Sequence, residues 1–142
     1  MICLSTFCFL PYTIFMRYLG IDYGLKRVGI AVSDETGQFA FPLAVLENSE
    51  NLISEIAEIC KKNNIGKMVV GESLDFSQKE NNIMKEIKLF IKILDGKTGL
   101  KIHLHPEFMT SKEAERLQGK NDMHDASAAA LILKSYLDTH GK

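Results

Sequence analysis

The sequence has little cysteine, and the spacing of its cysteines is unsuited to a covalent or metal-bound framework. The three residues, Cys3, Cys8 and Cys60, are odd in number and include no C-x-x-C pair. This pattern argues against a disulfide framework and against a structural zinc site. Such a chain suits a reducing compartment, and we expect a cytoplasmic protein.

An excess of charge of one sign is also missing. The chain has 17 lysine and arginine residues against 18 aspartate and glutamate residues, a formal net charge of −1. Many nucleic-acid-binding domains are strongly basic. A nearly neutral chain can therefore bind nucleic acid only through local basic patches or through metal ions that screen the phosphates. With 142 residues and no repeats or low-complexity tract, we expect one globular domain.

No stretch of the chain is predicted to span a membrane, which requires about 20 consecutive apolar residues. The most apolar stretch, residues 1–15, is uncharged but is interrupted by Pro11 and followed by Arg17. It also lacks the basic start and the small-residue cleavage site of a secretory signal. Because Met16 directly precedes a well-formed strand, we expect residues 1–15 to be an N-terminal apolar extension from a mis-assigned start, and residues 16–142 to be the functional domain. An edge segment and a weak membrane-surface anchor are the alternatives.

Three strands are predicted to follow one another at the start of this domain. Short apolar runs are separated there by turn residues, among them Glu35 to Gly37. The predicted strands are YLGID at 18–22, VGIAVSD at 28–34 and QFAFPLAVLE at 38–47. Strands connected this closely pair antiparallel, so we expect a three-stranded meander.

The rest of the chain is predicted to alternate helices with strands. Helical spacing of apolar residues marks 52–60 and 83–94, compact apolar runs mark strands at 67–71 and 101–105, and helices are expected at 110–117 and 125–137. We expect Asn63 and Asn64 to end the first helix, and Gly96 and Gly99 to end the second. The order βββαβαβα predicts an α/β protein with a mixed five-stranded sheet flanked by helices, which is the order of the ribonuclease H-like fold.

Three carboxylates are predicted to converge at one edge of this sheet. Asp22 ends the first strand, Glu107 lies two residues past the fifth, and Asp125 opens the last helix. Function in α/β sheets collects beyond the carboxyl ends of the strands. Converging carboxylates repel one another unless they share a cation, and oxygen ligands select Mg²⁺ or Mn²⁺. Such ions can polarise a phosphodiester and activate water, so the pattern favours a metal-dependent nuclease.

Each of these acids also has an ordinary structural interpretation. Asp22 can be a turn residue before Gly24, Glu107 a solvated loop residue, and Asp125 an acid that complements the dipole of the last helix. Only the combination of the three favours a metal site.

Several polar residues are candidates for nucleic-acid binding. Lys26 and Arg27 follow a tight turn and can meet phosphate oxygens, although a plain surface turn explains them equally well. Thr110 and Ser111 can donate hydroxyl groups to a phosphate, but Thr110 with Glu113 also matches a helix capping box. His124, next to Asp125, is a candidate phosphate contact or proton shuttle, although a lone histidine is more often structural.

The sequence resembles the YqgF/RuvX family, described as pre-16S ribosomal RNA nucleases and formerly as Holliday junction resolvases. The resemblance extends over nearly everything from Met16 onward. Its motifs are LGIDYGLKRVGIAVSD, MVVGESL, IHLHPEFMTSKEAE and HDASAAALILKSYL. The resemblance implies a cytoplasmic ribonuclease H-like nuclease that acts on structured nucleic acid, with metal-binding acids at Asp22, Glu107 and Asp125.

The chain departs from the family pattern at two motifs. The family's Asp-Glu-Arg is replaced by Pro106, Glu107 and Phe108, so an acid and a phosphate-binding arginine are missing. An apolar residue and a proline are replaced by Glu72 and Ser73. Glu72 follows the fourth predicted strand and can add a fourth carboxylate to the metal site, although a solvated loop acid is the simpler interpretation.

Three functions remain open at this stage. The first is a Mg²⁺-dependent (or Mn²⁺-dependent) nuclease that trims the 5′ end of precursor 16S rRNA. The second is a resolvase of four-way DNA junctions, which would need a homodimer for symmetric cleavage, whereas the first can act as a monomer. The third is a ribosome assembly factor that binds nucleic acid but has weakened catalysis, as the altered motif at Pro106 and Phe108 suggests.

Overall fold

A computed structural model describes residues 16–73, 82–107 and 124–140. It describes only the backbone of seven of these residues, which are Glu72, Ser73, Asn82, Glu107, His124, Asp125 and His140. The strands are β1 (Arg17–Asp22), β2 (Arg27–Ser33), β3 (Ala40–Glu47), β4 (Ile65–Ser73) and β5 (Lys101–Glu107), and the helices are α1 (Leu52–Lys62), α2 (Asn82–Thr98) and α3 (His124–His140). The predicted extension at 1–15 and the predicted helix at 110–117 lie outside the described residues.

The five strands form one mixed sheet in the order β3-β2-β1-β4-β5. β1 pairs antiparallel with β2, and β2 pairs antiparallel with β3, which is the predicted meander. β4 lies parallel to β1, and β5 lies parallel to β4. The predicted mixed five-stranded sheet of the ribonuclease H-like fold is thereby confirmed.

Helices cover both faces of the sheet because the central strands are apolar on both sides. Leu19 and Ile21 of β1 are fully buried in a core formed with α1 and α2, which contribute Ile56, Ile87 and other apolar side chains. The opposite face packs against α3 through Val69 and its neighbours. The alternation of side chains along each strand assigns one core to each face.

The contact between β1 and α3 is unusually close because both elements carry small residues there. A Cβ atom added at Gly20 would lie 2.8 Å from the Cβ atom of Leu133 and 2.9 Å from the carbonyl oxygen of Ala129. Ala126, Ala128 and Ala129 are also buried on α3. The alanine-rich helix can therefore lie directly against the β1 backbone.

The later elements of the chain extend beyond their predicted ends. α2 continues through Gly96 and ends at Thr98, directly before Gly99, which has a φ of +70°. β4 extends to Ser73, so Glu72 lies within the strand and not after it. β5 extends to Glu107, which was predicted to lie two residues beyond it. The last helix spans His124–His140, past the predicted end at Leu137.

The end of α1 agrees with the prediction. Asn63 is its C-cap, and its amide nitrogen donates to the carbonyl oxygen of Ile59. Asn64 then has a φ of +54°, which turns the chain into β4. Within the described part of the chain, no helix combines the length and the apolar character needed to cross a membrane.

Candidate active site

The carboxyl ends of three parallel strands lie at the same edge of the sheet. Ile21 of β1 pairs with Val70 of β4, and Val70 pairs with Leu104 of β5. Asp22 and His105 each lie one residue beyond this row. The strands continue only a little further, since the last pair of β4 and β5 joins Ser73 to Glu107. The backbone therefore places positions 22, 72 and 107 along one edge.

The direction of α3 brings its first turn to the same edge. The rings of Tyr136 and Tyr18 have centroids 6.0 Å apart, near the start of β1. Ala129 lies over Gly20, in the middle of β1, so the helix runs back along the strand. Position 125 lies four residues before Ala129, a distance of about 6 Å along the helix axis. Asp22 lies two residues after Gly20, at about 3.3 Å per residue along the strand. The two distances are similar, so position 125 lies near the level of Asp22.

A basic turn lies beside Asp22. Lys26 and Arg27 are exposed at the start of β2. Gly24 is required for the tightness of this turn, since an added Cβ atom there would lie 2.5 Å from the carbonyl oxygen of Arg27. The predicted turn with its two cations is present at the candidate site edge.

Asn48 fixes this turn from the end of β3, and sequence reasoning gave it no such role. Its Nδ2 donates to the carbonyl oxygen of Gly24 at 2.8 Å, and its amide nitrogen donates to the carbonyl oxygen of Lys26 at 2.9 Å. An asparagine after a strand was the only available signal, because the partner lies 24 residues away.

A polar contact joins β5 to the C-terminal half of α3. His105 is buried, and its Nε2 shares a hydrogen bond of 2.8 Å with Oγ of Ser135. The Tyr136 ring meets the His105 ring edge-on, with centroids 5.9 Å apart, and lies 5.5 Å from the His103 ring. The alternation of the two histidines in sequence predicts their shared face, but nothing in the sequence indicates Ser135 as a partner.

The remaining candidates fall wholly or partly outside the description. Thr110 and Ser111 lie outside the described residues. The backbones of Glu72, Glu107, His124 and Asp125 are placed, but their side chains are not described. Among the side chains that are described, no three of the His, Cys, Asp or Glu type are grouped for metal binding.

The donor chemistry of the predicted set nevertheless fits a hard divalent cation. Asp22 has a partly buried side chain at the end of β1, and the other two predicted carboxylates belong to residues of β5 and α3, Glu107 and Asp125. All three are oxygen donors, the ligand type that Mg²⁺ and Mn²⁺ prefer. Metal coordination at this edge is therefore chemically consistent with the fold.

Comparisons with known proteins identify close sequence relatives along almost the whole chain. The family model described as "RuvX: Holliday junction resolvase" matches residues 16–139. A protein of Maridesulfovibrio salexigens is 34% identical over 134 residues, 86% of this chain and 98% of the relative. One of Pelotomaculum thermopropionicum is 33% identical over 138 residues, 89% and 90% of the two chains. Both relatives are described as "Putative pre-16S rRNA nuclease".

Solved structures share the fold at lower sequence identity. RuvC of Thermus thermophilus in complex with a Holliday junction substrate aligns with a TM-score of 0.57 and 18% identity, over 88% of this chain and 96% of that one. The fowlpox virus resolvase in complex with Holliday junction DNA aligns with a TM-score of 0.56 and 15% identity, over 89% and 100%. The structural likeness agrees with the family match, and the chain belongs to the RuvX family.

Proposed function

We propose that this protein is a divalent-metal-dependent nuclease that trims the 5′ end of precursor 16S rRNA. Its membership of the RuvX family and its relatives described as pre-16S rRNA nucleases support a nuclease. The structural observation that carries the proposal is the convergence of the ends of β1 and β5 with the first turn of α3, where Asp22, Glu107 and Asp125 lie. These elements are distant in sequence, and the fold gives them one shared edge.

In this proposal each carboxylate is a ligand for Mg²⁺ or Mn²⁺, and Glu72, within β4 between the other two strands, is a fourth candidate. When bound, the metal supplies the positive charge that polarises a phosphodiester and promotes the loss of a proton from water. Asp22 contributes from a strand buried on both sides, so its backbone position is fixed before the substrate arrives. Such preorganisation is what the transition state requires.

The basic turn is proposed to hold the substrate. Lys26 and Arg27 are exposed one turn away from Asp22, so their charges can meet a phosphate next to the cleaved bond. Asn48 keeps this turn in place through its bonds to Gly24 and Lys26. Thr110, Ser111 and His124 remain further candidates for phosphate contacts.

The decisive test is cleavage of a precursor 16S 5′-leader RNA by the purified full-length chain in Mg²⁺ and in EDTA. We expect cleavage in Mg²⁺ only, and Asp22→Asn should reduce it by at least about a hundredfold, the scale on which electrostatic stabilisation of a transition state acts. Asp138→Asn is the matched control, because Asp138 is an exposed carboxylate in a surface ion pair on α3. Binding without cleavage by the unaltered chain would instead favour the assembly factor.

A junction resolvase is a second candidate because the family description itself names that activity. Symmetric cleavage of a four-way DNA junction needs two active sites related by a two-fold axis. Light scattering of the protein on junction DNA should then give a dimer, with paired cuts in opposite strands. A monomer that cuts the leader RNA and leaves the junction intact would exclude this activity.

A further inference from the structure

The surface charge of the described residues is unevenly distributed, although the chain as a whole has a net charge of −1. Lys85, Lys88 and Lys92 are all exposed on α2. Their spacing of three and four residues places them on one stripe of the helix. From Lys85 to Lys92 the stripe is about 10.5 Å long. We refer to these three residues as the α2 lysine row.

A groove beside the neighbouring helix α1 carries the opposite charge. A groove between β3 and α1 is lined by Glu47, Glu55 and Glu58 together with polar and apolar side chains. In the described part of the chain, the only lysines of α1 are Lys61 and Lys62, in its last turn. A polyanion is therefore repelled by this groove and attracted by the α2 lysine row.

The α2 lysine row starts near the candidate active site. α2 connects the parallel strands β4 and β5, so it runs from the edge where β4 ends to the edge where β5 begins. Tyr23, the residue after Asp22, packs on Phe90 of α2 with ring centroids 4.8 Å apart. The lysines lie on the outer side of the same helix, about one helix diameter of 10 Å from that contact.

We propose that the α2 lysine row binds the phosphates of a nucleic-acid strand that extends from the candidate active site, an inference that rests on the proposed nuclease function. Every nucleotide of a strand carries one phosphate charge, and the row is long enough to face more than one of them. The strand would pass from Lys26 and Arg27 over α2 and away from the acidic groove. Leu89 and Ile93, which are 55% and 50% exposed beside the lysines, would meet sugar and base surfaces.

The test is the salt dependence of binding, measured in EDTA so that no cleavage is required. A fluorescent single-stranded 5′-leader RNA is titrated with the full chain at several salt concentrations. The test variant is Lys85→Gln/Lys92→Gln, and the matched control is Lys61→Gln/Lys62→Gln, which removes the same charge from α1. Lys88 is retained because it also interacts within the protein.

The logarithm of the binding constant falls linearly with the logarithm of the salt concentration. Each lost phosphate contact should make this negative slope shallower by about 0.7 for a single strand. We expect the α2 variant to reduce the slope by about 1.4 and affinity by on the order of tenfold near 0.1 M salt, and the α1 variant to change neither. Equal slopes for the two variants would overturn the proposal.

The outcome is separable from that of the nuclease proposal. If the unaltered chain fails to cut RNA but the two variants differ in slope, the binding surface holds and the nuclease proposal fails. If the chain cuts RNA in Mg²⁺ and the slopes are equal, only the α2 surface is lost.

Discussion

Two glycines differ in the space available for a side chain. Gly20 lies against α3, where an added Cβ atom would be 2.8 Å from the Leu133 Cβ atom, whereas nothing lies within 4 Å of the same position at Gly96. We expect Gly20→Ala to lower the free energy of unfolding by about 1–3 kcal/mol through overpacking. Gly96→Ala, its control within α2, should raise it by up to about 1 kcal/mol.

Denaturant titration of both variants measures these changes. A neutral Gly20→Ala would mean that α3 moves away from β1 at little cost, and the placement of its first turn at the site edge would then be less secure.

Cys60 is a buried thiol, and burial raises its pKa to about 11 from the ordinary value of 9.0. Above pH 9 the unfolded chain releases this proton while the folded chain retains it, so stability falls between pH 9 and about 11. The loss is at most about 2–3 kcal/mol, by the free energy of a two-unit pKa shift. Native Cys60 should also resist alkylation at pH 8.

Chemical denaturation from pH 8 to pH 11 compares the chain with Cys60→Ala, which lacks this proton and should show the shallower decline. Identical declines would show that Cys60 ionises no differently in the two states. Peptide mass spectrometry identifies alkylation at Cys60 separately from Cys3 and Cys8.

Among elements, a hydrogen bond links β5, which carries Glu107, to α3, which carries Asp125. Ser135→Ala removes the 2.8 Å hydrogen-bond partner of the His105 ring nitrogen. Because Ser135 is exposed to water, the loss should cost only the net worth of a hydrogen bond, about 0.5–1.5 kcal/mol of stability. Because β5 and α3 each carry one predicted ligand, a weaker link between them should also lower Mn²⁺ affinity, by less than the roughly tenfold loss seen when a direct partner of a ligand is removed.

Calorimetric Mn²⁺ titration and thermal unfolding provide the two measurements. Ser135→Thr should restore both, and Thr139→Ala, which removes a hydroxyl bonded to carbonyl oxygens of the same helix, should alter neither by much. A stability loss without any change in Mn²⁺ affinity would restrict Ser135 to a structural role.

The elements were predictable where a pattern repeats locally, and less so where a partner strand decides. The helical spacing of apolar residues identifies α1, and Asn63 and Asn64 mark its end correctly. The prediction that α2 ends at Gly96 is wrong, because an exposed glycine is tolerated within a helix at a cost of about 1 kcal/mol. Of the two predicted glycines, Gly99 is the one with a positive φ. The extra length of β4 and β5 arises from their pairing with each other, which no local pattern reveals.

At the scale of the whole molecule, the location of the candidate site was predictable from topology. An acid at the end of a buried first strand and the rule that parallel strands share their carboxyl edge were sufficient to propose Asp22, whose role as a metal ligand stays a prediction. The roles of Asn48 and Ser135 could not be predicted, because each residue bonds to a partner more than 20 residues away in the sequence. Contacts of this kind become visible only when the register of the sheet and the direction of α3 are known.

The whole fold also determines the response to metal. Asp22 is contributed by β1, Glu107 by β5 and Asp125 by α3, so the proposed site exists only in the folded chain, and a ligand that binds only the folded state stabilises it. At a Mg²⁺ concentration ten times its Kd, the gain is about 1.4 kcal/mol. Asp22→Asn should abolish this gain, since it removes one charged ligand, and Asp138→Asn should retain it.

Thermal unfolding of each variant is measured in EDTA and in Mg²⁺, and the stabilisation by Mg²⁺ is the difference between the two for the same protein. Any change in stability that Asp22→Asn causes without metal therefore cancels. A gain of equal size in the unaltered chain and in Asp22→Asn would place Mg²⁺ elsewhere on the surface, and Asp22 would then have to act without it. A gain confined to the proteins that retain Asp22 would tie metal binding to the edge where β1, β5 and α3 meet.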